Sequence, residues 1–79
     1  MSGSLDQRLQ RVFREVFYDD DLKLSDDLSP RTMPEWDSLA QVRLISSLED
    51  EFGVKFTTEE LVAANSVAKM KGILVQKAN

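Results

Sequence analysis

The chain has 79 residues, contains neither Cys nor His, and carries ten basic against fourteen acidic side chains, a formal net charge of -4. A chain of this length forms one small domain, and without Cys or His it lacks disulfides, a thiolate nucleophile, the usual general base near neutral pH and the commonest metal ligand. The acidic balance argues against nucleic-acid binding. Because Cys and His are both absent, we predict a module that is not an enzyme and holds no metal ion.

No membrane or export signal is predicted in this sequence. Its apolar runs fall far short of the roughly 20 residues that a membrane-spanning helix needs. The opening decapeptide, MSGSLDQRLQ, lacks the apolar core of a signal peptide. We therefore expect a cytoplasmic protein without a membrane span.

The first helix is predicted over about residues 5–18. Six apolar side chains recur there with the 3.6-residue period of one helix face: Leu5, Leu9, Val12, Phe13, Val16 and Phe17. Ser4 and Gln7 have the spacing of a capping box, in which two side chains satisfy free backbone N–H groups at the helix start. The opposite face, which includes Gln10 and Arg14, is expected to be solvated.

A long loop over residues 19–36 is predicted to follow. It contains an acidic triplet and both prolines of the chain. Apolar residues recur along it, and we expect them to pin the loop to the core: Leu22, Leu24, Leu28, Met33 and Trp36. A calcium loop that starts at Asp19 is excluded, because Leu24 stands where such a loop needs Gly and Pro30 where it needs Glu.

The second helix is predicted over about residues 38–52. Gly53 follows its last apolar residue, and glycine at this place often ends a helix in the left-handed conformation. The stretch from Gly53 to Phe56 could pass for a strand, but the chain offers no second strand to pair with it. We therefore predict no sheet.

Two more helices are predicted in the rest of the chain. Thr57 and Glu60 have capping-box spacing and indicate a short third helix over about residues 58–63. Ser66 precedes a further apolar period and indicates a fourth helix over about residues 66–76.

Together these elements predict an all-α fold that forms one domain over residues 1–79. It is a small four-helix bundle of three main helices and one short third helix, with a long loop between helices 1 and 2. Residues 63–79 contain three lysines and no acidic residue. The negative charge is therefore concentrated in the second helix and the loop before it.

The second helix has apolar side chains on two faces. On a helical wheel of 100° per residue, its core face spans about 100° and contains Leu44, Ile45, Leu48 and Phe52. Leu39 and Val42 lie on the polar side of the wheel, near the start of the helix. Either Leu39 packs under the long loop and Val42 at the edge of the core, or the two form a docking patch with the charged residues around them.

Asp37 and Ser38 open this helix. Both residue types are preferred N-caps, so helix capping is the ordinary role for them. Ser38 cannot be the nucleophile of a Ser-His-Asp hydrolase, because the chain has no His, and no Gly-x-Ser-x-Gly motif surrounds it. If Ser38 reacts, another protein must activate it.

The chain reads Glu-Trp-Asp-Ser-Leu from Glu35 to Leu39, and its second helix ends Leu-Glu-Asp-Glu-Phe-Gly. In this order, after an amphipathic helix and a loop rich in apolar residues, these motifs resemble the acyl carrier proteins over most of the chain. The resemblance implies that Ser38 is the attachment point of a covalent 4′-phosphopantetheine, transferred from coenzyme A by a phosphopantetheinyl transferase. It also implies that Asp37 caps the helix and that Leu39 completes the motif.

The resemblance further implies partners for the carrier, which we expect to be a monomer. Besides the transferase, they are an acyl-loading ligase or acyltransferase, and a ketosynthase or other acyl-processing enzyme. The candidate docking residues occupy matching places on the recognition helix of the family: Leu39, Val42, Arg43, Glu49 and Asp50.

Several residues depart from the carriers of fatty acid biosynthesis. Ala40 stands where those carriers usually have an acidic residue, Arg43 where they often have Glu, and Ser46 where they often have Met. With Trp36 before the motif, these departures predict a carrier of a polyketide or other specialised pathway. Two alternatives remain open: a peptidyl, aryl or D-alanyl carrier loaded by an adenylating ligase, and an unmodified helical interaction module in which Ser38 is only a cap.

Overall fold

A computed structural model of the chain describes residues 4–78. These residues form four helices and no strand: α1 (Leu5–Phe17), α2 (Ser38–Phe52), α3 (Thr58–Ala63) and α4 (Val67–Ala78). The predicted all-α bundle with a long loop between α1 and α2 is confirmed. None of the helices in the described residues is long and apolar enough to cross a membrane. The prediction about a signal peptide depends partly on residues 1–3, which lie outside the described part.

Helix α1 begins with the predicted capping box. The backbone N–H of Gln7 donates to Ser4 Oγ over 3.2 Å, and the backbone N–H of Ser4 donates to Gln7 Oε1 over 3.1 Å. The helix ends at Phe17, slightly earlier than predicted, because Tyr18 adopts the left-handed conformation with φ of 53°. A residue other than glycine pays roughly 1–2 kcal/mol for this backbone conformation. The N–H groups of Tyr18 and Asp19, which both donate to the carbonyl of Arg14, offset this cost.

Glycine and backbone hydrogen bonds end α2 where the sequence predicts. Gly53 has φ of 65°, a conformation that glycine adopts without steric cost. The segment that follows forms no strand, because its N–H groups bind to α2 instead. Val54 N–H donates to the carbonyl of Glu49, and Phe56 N–H donates to the Glu49 carboxylate over 2.8 Å.

Helix α4 begins at Val67 and extends to Ala78, one residue later and two residues further than predicted. It begins later because Ser66 caps it, with Ser66 Oγ accepting from the Lys69 N–H over 3.2 Å. Its last turn is held by Lys77, whose ammonium pairs with Glu60 over 2.7 Å. This ion pair fastens the end of α4 to α3.

The core is formed by all four helices and by the long loop. Its largest fully buried side chain, Trp36, belongs to the loop and is only 2% exposed. The Trp36 ring meets Phe13 edge to face, with ring centres 5.3 Å apart. The other apolar residues of the loop also pack against the core, as expected from the sequence: Leu22, Leu24, Leu28 and Met33. The loop is therefore part of the packed interior.

Polar side chains of α1 also hold the loop. Arg14 Nε donates to the carbonyl of Leu22 over 2.8 Å. Gln10 Oε1 accepts from the backbone N–H of Leu24 over 2.9 Å. The prediction of a merely solvated face was therefore wrong for Gln10 and Arg14, because both satisfy backbone groups that the loop cannot pair within itself.

An ion pair joins α1 to the end of α2. Arg8 Nε lies 2.9 Å from the Glu51 carboxylate, and Arg8 Nη2 donates to the Glu51 carbonyl over 2.6 Å. The hydrogen bond from Arg8 is the largest influence that lowers the pKa of Glu51 below its usual value of 4.5. Lys77 lowers the pKa of Glu60 in the same way.

Glu51→Gln is expected to reduce the loss of stability in acid. A lowered folded-state pKa stabilises the fold above the unfolded-state pKa, and this contribution is lost as the pH falls through the folded-state value. The wild type should lose stability below about pH 4.5, and E51Q should lose less of it. Urea unfolding midpoints measured from neutral pH down to about pH 3 provide the test. Glu59→Gln serves as the control, because it removes an exposed acidic side chain that makes no ion pair within residues 4–78. Equal acid sensitivity of E51Q and wild type would contradict this account.

Candidate functional site

Ser38 is the first residue of α2, and its side chain is exposed. Asp37 is the N-cap of this helix, with Asp37 Oδ1 accepting from the Ala40 N–H over 2.9 Å. Asp37, and not Ser38, therefore caps α2. The hydroxyl of Ser38 makes no hydrogen bond within residues 4–78, so it is available to another molecule.

The backbone around Ser38 suits a negatively charged substituent. The N–H groups of Ser38 and Leu39 lie in the first turn of α2, where no intrahelical acceptor exists. This end of a helix carries the positive part of its dipole and is a common place for phosphate groups. A phosphodiester on Ser38 would therefore fit the exposure and the local field. No cluster of acidic side chains within residues 4–78 is arranged to hold a metal ion.

A cavity of about 530 Å³ opens beside Ser38. The long loop, α2 and α3 supply its walls. Most of its lining is apolar: Pro30, Trp36, Asp37, Ser38, Gln41, Val42, Leu61, Val62 and Asn65. The apolar part of a group attached to Ser38 can thus lie against protein instead of water. We refer to this space as the first cavity.

Gln41 connects the three elements that surround the first cavity. Its Oε1 accepts from Trp36 Nε1 over 2.6 Å, while its Nε2 donates to the carbonyls of Leu61 and Ala64 over 2.8 and 2.9 Å. Gln41 was not among the site residues predicted from the sequence. A signal was present, because on the helical wheel Gln41 falls at about 200°, inside the core face of α2, where a polar side chain needs buried partners.

Gln41→Ala is expected to destabilise the fold by about 2 kcal/mol. The variant leaves the Trp36 indole N–H and two backbone carbonyls without their partner, and one unsatisfied buried polar group costs about 1–3 kcal/mol. Amide hydrogens of α3 should also exchange faster, since α3 has no fully buried side chain and depends on such anchors. Urea unfolding and hydrogen exchange measure the two effects. Gln76→Ala, at an exposed position of α4, is the matched control. Equal stability and equal α3 exchange in both variants would refute the connecting role of Gln41.

The candidate docking residues differ in their exposure and in the hydrogen bonds that they already make. Leu39 and Val42 are 67% and 52% exposed, so the alternative that Leu39 packs under the loop is wrong. Arg43 is exposed and donates to Tyr18 Oη over 2.8 Å. Asp50 is exposed. Glu49 is half-buried and already holds the backbone of Phe56, so it also has a structural role.

Comparisons with known proteins are consistent with this geometry. The family described as "Phosphopantetheine attachment site" matches residues 7–74, a span that includes Ser38. The fold is similar to the solution NMR structure of a holo acyl carrier protein from Geobacter metallireducens. The TM-score is 0.83 and the sequence identity 33%, over 91% of this chain and 83% of that chain. No curated protein matches the chain.

Proposed function

Because the chain belongs to the phosphopantetheine attachment family and is a carrier protein of the acyl carrier type, not an enzyme, we propose that Ser38 is the residue that bears its prosthetic arm. The prosthetic group is covalently attached 4′-phosphopantetheine. When attached, it supplies a thiol that can hold an acyl group as a thioester. The reactive chemistry then needs neither Cys nor His from the protein.

The observation that carries this proposal is that Ser38 presents an exposed, unbonded hydroxyl in the first turn of α2. Asp37 caps α2, so Ser38 Oγ can form the new bond to phosphorus while the pyrophosphate bond of coenzyme A breaks and adenosine 3′,5′-bisphosphate leaves. The hydroxyl proton passes to a base of the transferase, since this chain has no His. By contrast, the hydroxyls of Ser4, Ser29 and Ser66 accept backbone hydrogen bonds.

The residues around Ser38 fix where the arm begins. Asp37 anchors the first turn of α2, and the Gln41 hydrogen bonds hold that turn to the loop and to α3. A flexible arm on a rigid base raises the effective concentration of its cargo at each docked enzyme. Fast transfer between enzymes also requires contacts that are small and released quickly.

We propose acyl or polyketide-type intermediates of a specialised pathway as the cargo. The exposed Arg43 supports this choice, because it places a positive charge on the helix face where carriers of fatty acid biosynthesis often present Glu. The corresponding partners are a phosphopantetheinyl transferase, an acyl-loading ligase or acyltransferase, and a ketosynthase or other acyl-processing enzyme. We propose that the carrier works as a monomer in the cytoplasm.

Docking is proposed on the outer face of α2. Leu39 and Val42 provide exposed apolar contacts there, and Arg43 and Asp50 provide charges of opposite sign. These two charges lie seven residues apart, about 10 Å along the helix axis. Glu49 belongs to the same proposal, but its hydrogen bond to Phe56 means that replacing it changes the fold and the surface together.

Asp50→Lys is expected to slow modification by a phosphopantetheinyl transferase roughly three- to tenfold in kcat/KM at low salt, because charges at the rim of an interface act mainly on association. Helical content should stay the same, since Asp50 makes no ion pair in residues 4–78. Asp27→Lys, an equal charge change at an exposed loop position, is the control. Rates of D50K equal to those of D27K would argue against this docking face.

Incubation with coenzyme A and a broad-specificity phosphopantetheinyl transferase tests the proposed function. The intact mass should rise by one phosphopantetheinyl group, and the product should then accept an acyl group on a thiol. An unchanged mass under conditions that modify a known carrier would favour the unmodified interaction module.

A further inference from the structure

A second cavity adjoins the first one. It measures about 420 Å³ and is lined by Ser29, Pro30, Arg31, Asn65, Ser66 and Lys69. Pro30 and Asn65 line both cavities, so the two spaces meet at these residues. An arm on Ser38 that follows the first cavity therefore leads its cargo toward the second.

Backbone hydrogen bonds hold the walls of the second cavity in place. The N–H of Val67 donates to the carbonyl of Leu28 over 3.0 Å and clamps the loop to the start of α4. Ser29 closes a turn, with its Oγ accepting from the Arg31 N–H over 3.3 Å and its carbonyl from the Met33 N–H over 2.9 Å. The backbone of Arg31 is thus fixed, while its guanidinium extends without a partner in residues 4–78.

The second cavity concentrates uncompensated positive charge. Within residues 4–78, four basic side chains make neither an ion pair nor a hydrogen bond: Lys23, Arg31, Lys55 and Lys69. Two of these four line the second cavity, and no acidic residue does. This is opposite to the overall balance of the chain, which has a net charge of -4.

We propose that Arg31 and Lys69 bind a carboxylate at the far end of the acyl cargo, so that the cargo class is acyl chains that end in a carboxylate. The proposal rests on the proposed function, because the chain must start from an arm on Ser38. The first cavity receives the arm and the methylene groups that follow it, and the second cavity receives the charge. A guanidinium can bind both oxygens of a carboxylate, and Asn65 offers an amide donor at the junction.

The arrangement selects between cargoes by the cost of an unpaired charge. A terminal carboxylate is disfavoured against the apolar wall of the first cavity, and the two cations of the second cavity attract it beyond that wall. A neutral acyl chain of the same length gains nothing from Arg31 and Lys69, and it leaves both cations as hydrated as before. The preference should weaken at high salt, because both cations are exposed.

The test uses the full chain, loaded on Ser38 by a transferase from coenzyme A analogues with a hydrolysis-resistant amide linkage. One analogue carries a glutaryl group with a ¹³C-labelled terminal carboxylate; the other two carry its methyl ester and a pentanoyl group. NMR should show shifts of the Arg31, Ser66 and Lys69 signals with the glutaryl cargo alone. The pKa of the labelled carboxyl group should fall by about half a unit, less than the 1–3 units of closer, less hydrated pairs.

Two double variants with equal loss of charge separate the second cavity from general electrostatics. R31Q/K69Q should return the carboxyl pKa to that of the free analogue and abolish the glutaryl-dependent shifts. K23Q/K55Q removes the other two unpaired cations, both exposed and away from the cavity lining, and should behave like the wild type.

Several outcomes would overturn the proposal. A carboxyl pKa that is the same in wild type and R31Q/K69Q would do so, as would equal shifts with the methyl ester. So would shifts that the unloaded arm alone, or inorganic phosphate alone, reproduces in full, because the anion bound would then not be the cargo. Loading is verified first by intact mass. If the proposed function fails, the mass does not rise. If only the carboxylate site fails, the protein is loaded but its carboxyl group has the pKa of the free analogue.

Discussion

Trp36→Ala should remove a large part of the stability of the domain. Replacing a fully buried Trp by Ala costs about 3–5 kcal/mol, and a domain of this size has a total stability of only about 4–12 kcal/mol at roughly 0.05–0.15 kcal/mol per residue. The variant also removes the donor that Gln41 Oε1 accepts from. Urea unfolding followed by circular dichroism measures the loss.

Trp36→Phe is the matched control for that prediction. It keeps an aromatic ring against Phe13 and Phe17 and removes the indole N–H, so its cost should be clearly smaller than that of W36A, about 1–3 kcal/mol. If W36A unfolded at the same urea concentration as the wild type, the loop would not be part of the core as described.

Ser38→Ala should abolish attachment of the phosphopantetheine arm completely. The effect is all or none, because no other side chain combines the start of α2 with a hydroxyl that is exposed and free of a capping role. The fold should persist, since Asp37 still caps the helix, and Ala is a favourable residue within a helix. Intact mass after incubation with coenzyme A and a transferase gives the result.

Ser46→Ala is the control for Ser38→Ala. Ser46 is exposed on the same helix, about two turns further along, and its loss should leave the mass gain unchanged. Modification of S38A to the same extent as S46A would transfer the attachment point to another residue and remove the assignment made here.

Local signals in the sequence predicted the helices well. Ser4 with Gln7 and Thr57 with Glu60 both form capping boxes, because a cap depends on residues only three positions apart. The stop at Gly53 is equally local. In each case the physical cause lies within a few residues, so the pattern alone contains it.

Interactions with backbone groups far along the chain were not predictable in this way. Gln10 and Arg14 hold loop backbone that lies 8–14 residues away, and Gln41 holds carbonyls that lie 20 and 23 residues away. A backbone N–H or carbonyl has no residue-specific pattern in the sequence. Such polar side chains therefore look solvated until the fold is known.

The candidate site shows the same division. The exposure of Leu39 was one of two alternatives open from the helical wheel, and the structure decides between them. The helical wheel places Glu49 at about 280°, nearer the core face than Asp50 at about 20°, but no pattern in the sequence indicates that Glu49 supports the backbone of Phe56. The second cavity depends on contact between the loop and α4, where Leu28 and Val67 meet although they are 39 residues apart, so no local pattern predicted it.

The most direct measurement is a mass analysis of the protein purified from its native cells and digested. The account predicts that the peptide containing Ser38 bears one 4′-phosphopantetheine and that every other serine is unmodified. A consistently bare Ser38, in cells that are actively making the product of the pathway, would contradict it.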